Sequence, residues 1–255
     1  MSETTNGRFD SDGIEIAYTV SGEGEPILLI HGFASNAQTN WFGPGWVHTL
    51  TGDGRQVVTI DNRGHGKSGK PHDPAVYEAP MMAEDARRLL DHLGIGRADV
   101  MGYSMGARIT AFLSVRHPER VRSAVLGGLG DALIEGVGQS TAIADALEAA
   151  SMEDVSDPTG REFRRFAEQT GGDLAALAAC MRSGRPPIER EWLEALETPV
   201  LVCVGELDEI AGDPERLAAL MPKGEGFVIP RRDHMRAVGD RAYKQAVLEF
   251  LHRRP

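Results

Sequence analysis

The tightest constraint in this chain is a glycine-flanked serine placed where the apolar pattern changes period. Gly102-Tyr103-Ser104-Met105-Gly106 follows Ala98-Asp99-Val100-Met101, which reads as the end of a buried strand. It precedes Ala107-Arg108-Ile109-Thr110-Ala111-Phe112-Leu113, which continues at helical period. A strand that turns this sharply into a helix forces its central residue into a strained backbone. The flanking glycines remove the side chains that would collide there, so Ser104 can stand exposed at the carboxyl end of a sheet as a nucleophile.

A serine hydroxyl is a weak nucleophile without a base, and the base needs an acid to orient it. His234 supplies the first. It lies in Arg231-Arg232-Asp233-His234-Met235, after the strand-like Gly226-Phe227-Val228-Ile229-Pro230 and before a helix starting about Arg241. The other histidines place less well. His31 and His65 sit in turns, His92, His117 and His252 at helix ends, and His48 and His72 have no evident partner. His65 in particular is expected to hydrogen-bond loop backbone. The acid is Asp208, in Gly205-Glu206-Leu207-Asp208 after the continuous apolar run Pro199-Val200-Leu201-Val202-Cys203-Val204. Glu206 is the alternative acid. Asp233, immediately before the histidine, would project the other way from an extended loop.

The chain order Ser104, Asp208, His234 is that of the α/β-hydrolase triad, and the chain resembles a small α/β-hydrolase of the esterase and enol-lactonase-like group over nearly its whole length. Two further landmarks carry the likeness: His31-Gly32-Phe33 after Ile27-Leu28-Leu29-Ile30, and Asp61-Asn62-Arg63-Gly64-His65-Gly66-Lys67-Ser68-Gly69 after Val57-Val58-Thr59-Ile60. The resemblance implies an oxyanion hole made by the backbone N–H groups of Phe33 and Met105. It implies acyl transfer to water through a covalent serine intermediate, on a small-molecule ester or lactone. The same apparatus in such proteins serves carboxylic esters, lactones, carbon–carbon cleavage of dienoic ring-fission products and cofactor-free peracid formation. GYSMG does not choose among them. A noncatalytic ligand-binding member of the fold is a further alternative. Trp41, Tyr103 and Leu129 are expected on the pocket walls, because they flank the oxyanion loop, the nucleophile and the end of a neighbouring strand.

The rest of the chain is organised to suit. Arg8-Phe9 and Ile14 to Val20 alternate around Asp10-Ser11-Asp12-Gly13, predicting an antiparallel hairpin. Strand candidates at 26–30, 56–60, 98–101, 123–127, 200–204 and 226–229 then alternate with helical stretches, among them 79–93, 106–117 and 241–251. That alternation predicts an α/β fold with a mostly parallel sheet covered on both faces. From about 131 to 191 no strand is evident. Helical stretches at 142–150, 162–169 and 174–181 there predict a helical cap inserted into a single domain spanning 1–255. Leu133, Ile134, Ile143, Leu147, Phe163, Phe166, Leu174, Leu177 and Met181 would divide between packing the cap and lining a pocket.

Composition excludes other classes. A net charge of −11, from 27 basic and 38 acidic side chains, disfavours nucleic acid and anionic membrane as partners, and no basic aromatic stripe is present. No run approaches the roughly 18 apolar residues of a membrane span, and the polar start carries no signal pattern, so the expected compartment is the cytoplasm. Cys180 and Cys203 are expected to be free thiols. His65, His72 and Asp73 match no metal spacing, and no glycine turn has a nucleotide-loop pattern, so no metal and no cofactor is expected. An aspartate in place of Ser104 would have indicated dehalogenase or epoxide hydrolase chemistry. Oligomeric state is left open.

Overall fold

A computed structural model describes residues 4–135 and 140–253. Residues 136–139, within the expected cap, lie outside the described residues. Eight strands run β1 Thr4–Ser11, β2 Ile14–Ser21, β3 Glu25–Ile30, β4 Arg55–Ile60, β5 Ala98–Tyr103, β6 Val121–Gly127, β7 Val200–Gly205 and β8 Gly224–Ile229. They form one sheet in the order β1-β2-β4-β3-β5-β6-β7-β8. β1 and β2 pair antiparallel through the expected hairpin, and β2 joins β4 antiparallel. Every pairing from β4 onward is parallel. Each of the six strand intervals expected after the hairpin is a strand, longer than anticipated by one to two residues.

The central strands are apolar on both faces because helices cover both. Along β3, Leu28 and Ile30 enter one core with Ile109, Phe112 and Leu89, while Ile27 and Leu29 enter the other with Trp46, Tyr243 and Phe250. Period-two alternation therefore divides one apolar run between two cores, which is why such strands read as continuously hydrophobic.

The helices that matter for the site are α1 Trp46–Gly52, α2 Ala79–His92, α3 Met105–Arg116, α4 Ala132–Glu135, α5 Ser140–Glu148, α6 Pro158–Gln169, α7 Leu174–Arg182, α8 Arg190–Glu194, α9 Pro214–Ala218, α10 His234–Ala237 and α11 Arg241–Arg253. Among the described residues, α4 to α8 lie in the interval between β6 and β7 where no strand was expected. Asp157 and Asp173 cap α6 and α7 by accepting the N–H groups of Gly160 and Ala176 at 2.6 and 3.0 Å. The buried faces of α5 and α7 form a third apolar cluster with Phe33 and Tyr77 of the sheet-end loops. That cluster seats the helices above the carboxyl ends of the strands. No helix among the described residues is long and apolar enough to cross a membrane.

Candidate active site

Three strand ends converge at the carboxyl edge of the sheet. β5 ends at Tyr103, and Ser104 follows with φ 53° and ψ −113°, a backbone that a side chain normally avoids. The neighbouring glycines make this turn possible. A Cβ on Gly102 would lie 2.1 Å from the Gly106 carbonyl oxygen, and one on Gly106 would lie 2.0 Å from that of Ile30. Backbone therefore occupies the space a side chain would need. The Ser104 N–H donates to Gly127 O at 2.7 Å, tying the turn to the end of β6.

His234 opens α10, and Asp233 before it caps that turn by accepting the Arg236 N–H at 2.8 Å. The His234 ring bridges the other two groups: Nε2 lies 3.0 Å from Ser104 Oγ, and Nδ1 lies 2.7 Å from Asp208 Oδ2. Asp208 has a fully buried side chain, and its second oxygen accepts the N–H groups of Ile210 and Ala211, both at 3.0 Å. These three hydrogen bonds fix the face of the carboxylate toward the imidazole. Glu206 is elsewhere: exposed, with Oε2 accepting the Arg231 N–H at 2.7 Å.

Backbone holds the acid and base loops together. Leu207 N–H donates to Arg232 O at 2.9 Å, and a Cβ on Gly205 would lie 2.3 Å from that same oxygen. The Tyr103 hydroxyl donates to His234 O at 2.6 Å, linking the residue before Ser104 to the backbone that carries the imidazole. Burial, with Asp208 nearby, raises the Tyr103 phenol pKa, so it stays a neutral donor.

Phe33 and Met105 flank the serine. Met105 is the first residue of α3, where its N–H has no carbonyl four residues back to satisfy it. The loop carrying Phe33 is fixed by its neighbours. Gly32 N–H donates to Asn40 Oδ1 at 3.1 Å, His31 Nδ1 donates to Gly32 O at 2.7 Å, and Asp61 Oδ1 accepts the Ala37 N–H at 2.8 Å. His31 Nε2 accepts the Asn62 N–H at 3.0 Å, so this buried ring is a neutral strut. His65 packs edge-on to Phe33 with centroids 5.7 Å apart, and its Nδ1 donates to Arg63 O at 2.9 Å.

Two lobes open on Ser104, and both are lined by Phe33, Phe163 and His234. The narrow one, about 90 Å³, adds Met105, Arg108, Leu129, Ile143, Met181, Arg185 and Ile210. The wider one, about 260 Å³, adds Tyr103, Asn40, Pro44, Phe166, Met235 and Val238. Tyr103 and Leu129 thus stand on the walls where expected. Trp41 does not: it is fully buried beneath the lobes, 6.4 Å from Trp46, because the helical turn Gln38–Phe42 presents Asn40 to the cavity and Trp41 to the core. Of the nine apolar residues expected to divide between cap and pocket, Ile143, Phe163, Phe166 and Met181 reach a lobe. Leu147, Leu174 and Leu177 pack the cap cluster, and Leu133 and Ile134 pack the core against α3.

Arg108 and Arg185 were not anticipated on these walls. Arg108 follows Ser104 by one helical turn, a spacing that puts both on one face of α3 and could have signalled it. Both cysteines are buried free thiols. Among the described residues, no group of three or more His, Cys, Asp or Glu is placed to hold a metal ion.

Residues 25–152 match the α/β hydrolase fold family. A Synechocystis protein provisionally named a non-heme chloroperoxidase is 30% identical over 254 residues, covering 88% of each chain. A thermophilic esterase from Thermogutta terrifontis superposes with a TM-score of 0.75 at 26% identity, over 97% of this chain and 98% of that one. The 2-hydroxy-6-oxo-6-phenylhexa-2,4-dienoate hydrolase of Rhodococcus sp. strain RHA1 shares the fold, with a TM-score of 0.80 at 21% identity over 99% of this chain and all of that one. By sequence and by fold, this chain is a hydrolase of the α/β hydrolase fold family.

Proposed function

We propose that this protein is a serine hydrolase that cleaves small carboxylic esters through an acyl-enzyme intermediate. One observation carries the reading: Ser104 Oγ, the His234 ring and the buried Asp208 carboxylate form a continuous relay at 3.0 and 2.7 Å, with the other oxygen of the acid accepting two backbone N–H groups.

The chemistry follows from which atom each proton can reach. Ser104 Oγ attacks the ester carbonyl carbon while His234 Nε2 takes the hydroxyl proton. Asp208 keeps the Nδ1–H tautomer in place and stabilises the imidazolium that forms. The carbonyl oxygen becomes an oxyanion facing the Phe33 and Met105 N–H groups, each worth about 10² to 10³ in rate in sites of this kind. The intermediate collapses, the C–O bond to the alcohol breaks, and the departing oxygen collects the proton from Nε2. A water then attacks the acyl carbon as Nε2 takes its proton; the C–O bond to Ser104 breaks, Oγ recovers that proton from Nε2, and the acid is released.

The proton donor assigns the lobes. The leaving oxygen must face Nε2, and the wider lobe is walled by Met235 and Val238, neighbours of His234 in the chain. The alcohol therefore occupies the wider lobe and the acyl group the narrow one. At about 90 Å³ the narrow lobe is the smaller of the two and suits a short acyl chain.

Hydrolysis of p-nitrophenyl esters from acetate to decanoate, with Ser104→Ala beside wild type, tests this. Expected are an optimum at short chains and a loss of about 10⁴ to 10⁶ in kcat for Ser104→Ala with its melting temperature preserved. Equal turnover by the variant would refute the serine mechanism. Labelling of Ser104 by a fluorophosphonate without ester turnover would move the reading to a lactone or carbon–carbon substrate on the same triad, or to a binding protein.

A further inference from the structure

The narrow lobe carries two cations that the ester mechanism does not use. Arg108 is more than nine-tenths buried, and its guanidinium reaches only neutral partners: Nη1 donates to Leu133 O at 3.1 Å and Nη2 to Pro186 O at 2.9 Å. Its Nε is buried with no hydrogen-bond partner among the described residues. Arg185 lies on the same wall, exposed toward solvent, with Nη2 3.3 Å from Met181 Sδ. Among the described residues neither arginine forms an ion pair with a carboxylate, although the chain carries 38 acidic side chains against 27 basic ones. Most other arginines have found one: Arg63 is paired with Asp85, Arg55 with Asp99, and Arg164 with Glu168.

This buried guanidinium has hydrogen bonds only to carbonyls and a Phe112 ring 5.9 Å away, and beside a second positive charge it has no opposite charge to balance it. Burial first, and the Arg185 charge second, lower the Arg108 pKa to about 10, still charged at neutral pH. An anion between them would relieve both terms. Ser104, the residue before α3, and Arg108 lie about one helical turn apart along the chain, and both line the narrow lobe, so a short acyl chain attached at Ser104 would run along the wall that carries Arg108. The lobe between is lined by Met105, Leu129, Ile143 and Met181, which suits methylene groups.

We propose that Arg108 and Arg185 form a carboxylate subsite at the end of the acyl lobe, so that the preferred substrates are half-esters of short dicarboxylic acids. This rests on the assignment of Ser104 as the acylating nucleophile. A carboxylate fits better than a phosphate, since the lobe is only about 90 Å³. The bound chain would place its ester carbonyl at Ser104 Oγ and its distal carboxylate at the Arg185 fork, beside the Arg108 guanidinium.

Two measurements test this together: kcat/KM for monomethyl glutarate against methyl pentanoate, and calorimetric titration of the protein with free glutarate. Wild type should favour the half-ester by at least about tenfold, the worth of a charge-assisted hydrogen bond, and should bind glutarate. Arg185→Gln, at an exposed position where folding is not at stake, should lose most of the preference and weaken glutarate. Arg108→Gln should abolish both if it folds. Equal Ser104-dependent turnover of the two esters without glutarate binding would overturn the subsite and leave the serine mechanism intact. Glutarate binding that Arg185→Gln weakens, with no turnover of either ester, would keep the subsite and overturn the esterase reading. Binding or preference unchanged in Arg185→Gln would refute the assignment of that residue.

Discussion

Acid should unfold this protein through the histidines beneath its oxyanion loop. His65 is 1% exposed, and its Nδ1 donates to Arg63 O while Nε2 is buried without a partner among the described residues. Protonation would create a buried N–H with no acceptor, 5.3 Å ring to ring from His31 and near Lys70. Burial first, then the His31 charge, lower the His65 pKa from 6.5 to about 3. The native state therefore holds fewer protons than the unfolded chain between those values. Its stability is complete above about pH 6.5 and is lost as pH falls toward 3. At one pKa unit per 1.36 kcal/mol, the loss from His65 alone between pH 6.5 and 4.5 is about 2–3 kcal/mol. His31, also held neutral by burial, adds in the same direction, because protonating its Nε2 would break the bond from Asn62 N–H. Carboxylates titrate in the same range, so the comparison must isolate one ring. His65→Asn keeps a donor toward Arg63 O but cannot titrate. It will be less stable at pH 7 through lost packing on Phe33. Urea unfolding followed by the fluorescence of buried Trp41 and Trp46, from pH 7 to 4.5, should show the variant losing about 2–3 kcal/mol less than wild type across that range. Parallel profiles would mean that His65 titrates normally in the folded state and that the reasoning is wrong.

Two other predictions concern the turn and the acid. Gly106→Ala puts a Cβ 2.0 Å from Ile30 O and 2.7 Å from His31 O, both backbone, and should destabilise by at least about 3 kcal/mol, read as a fall in melting temperature of at least about six degrees. Asp208→Asn should cost about 10³ to 10⁴ in kcat while Glu206→Gln stays within about threefold, since the latter side chain only receives the Arg231 N–H. Steady-state kinetics on one ester checks both, and a larger loss in Glu206→Gln would reassign the acid.

The sheet was legible because its signals are local. A run such as Val200 to Val204 is apolar on both faces only where helices cover both, and the polar break after each run marks where a loop must leave the sheet. The helices at 79–93, 106–117 and 241–251 showed for the same reason, and the structure moves their bounds by no more than two residues. The short helices did not show. α1 begins at Trp46 after a glycine at φ 79°, and α9 has five residues capped by Asp213; each is too brief for a period to establish itself, and each is held by tertiary packing instead.

Within the site, legibility tracks how much chemistry a position carries alone. Ser104 announces itself because its strained φ requires the small neighbours that spell the motif. Asp208 and Glu206 were separable only by geometry: two residues apart in one loop, one side chain is fully buried with three partners and the other is exposed. Sequence holds no record of which way a loop carboxylate faces. Trp41 failed for a related reason. Proximity in sequence to the oxyanion loop put the right turn beside the cavity, but a single helical turn decides which of Asn40 and Trp41 meets it, and the larger, more apolar residue is the one that stabilises most by turning inward. Arg108 was missed because an arginine in an amphipathic helix ordinarily faces water. Its meaning comes from what α4 and the segment around Pro186 do, lying over it and supplying carbonyls where a carboxylate would normally sit. A buried cation with no ion-pair partner among the described residues is a property of the assembled chain that no local motif announces.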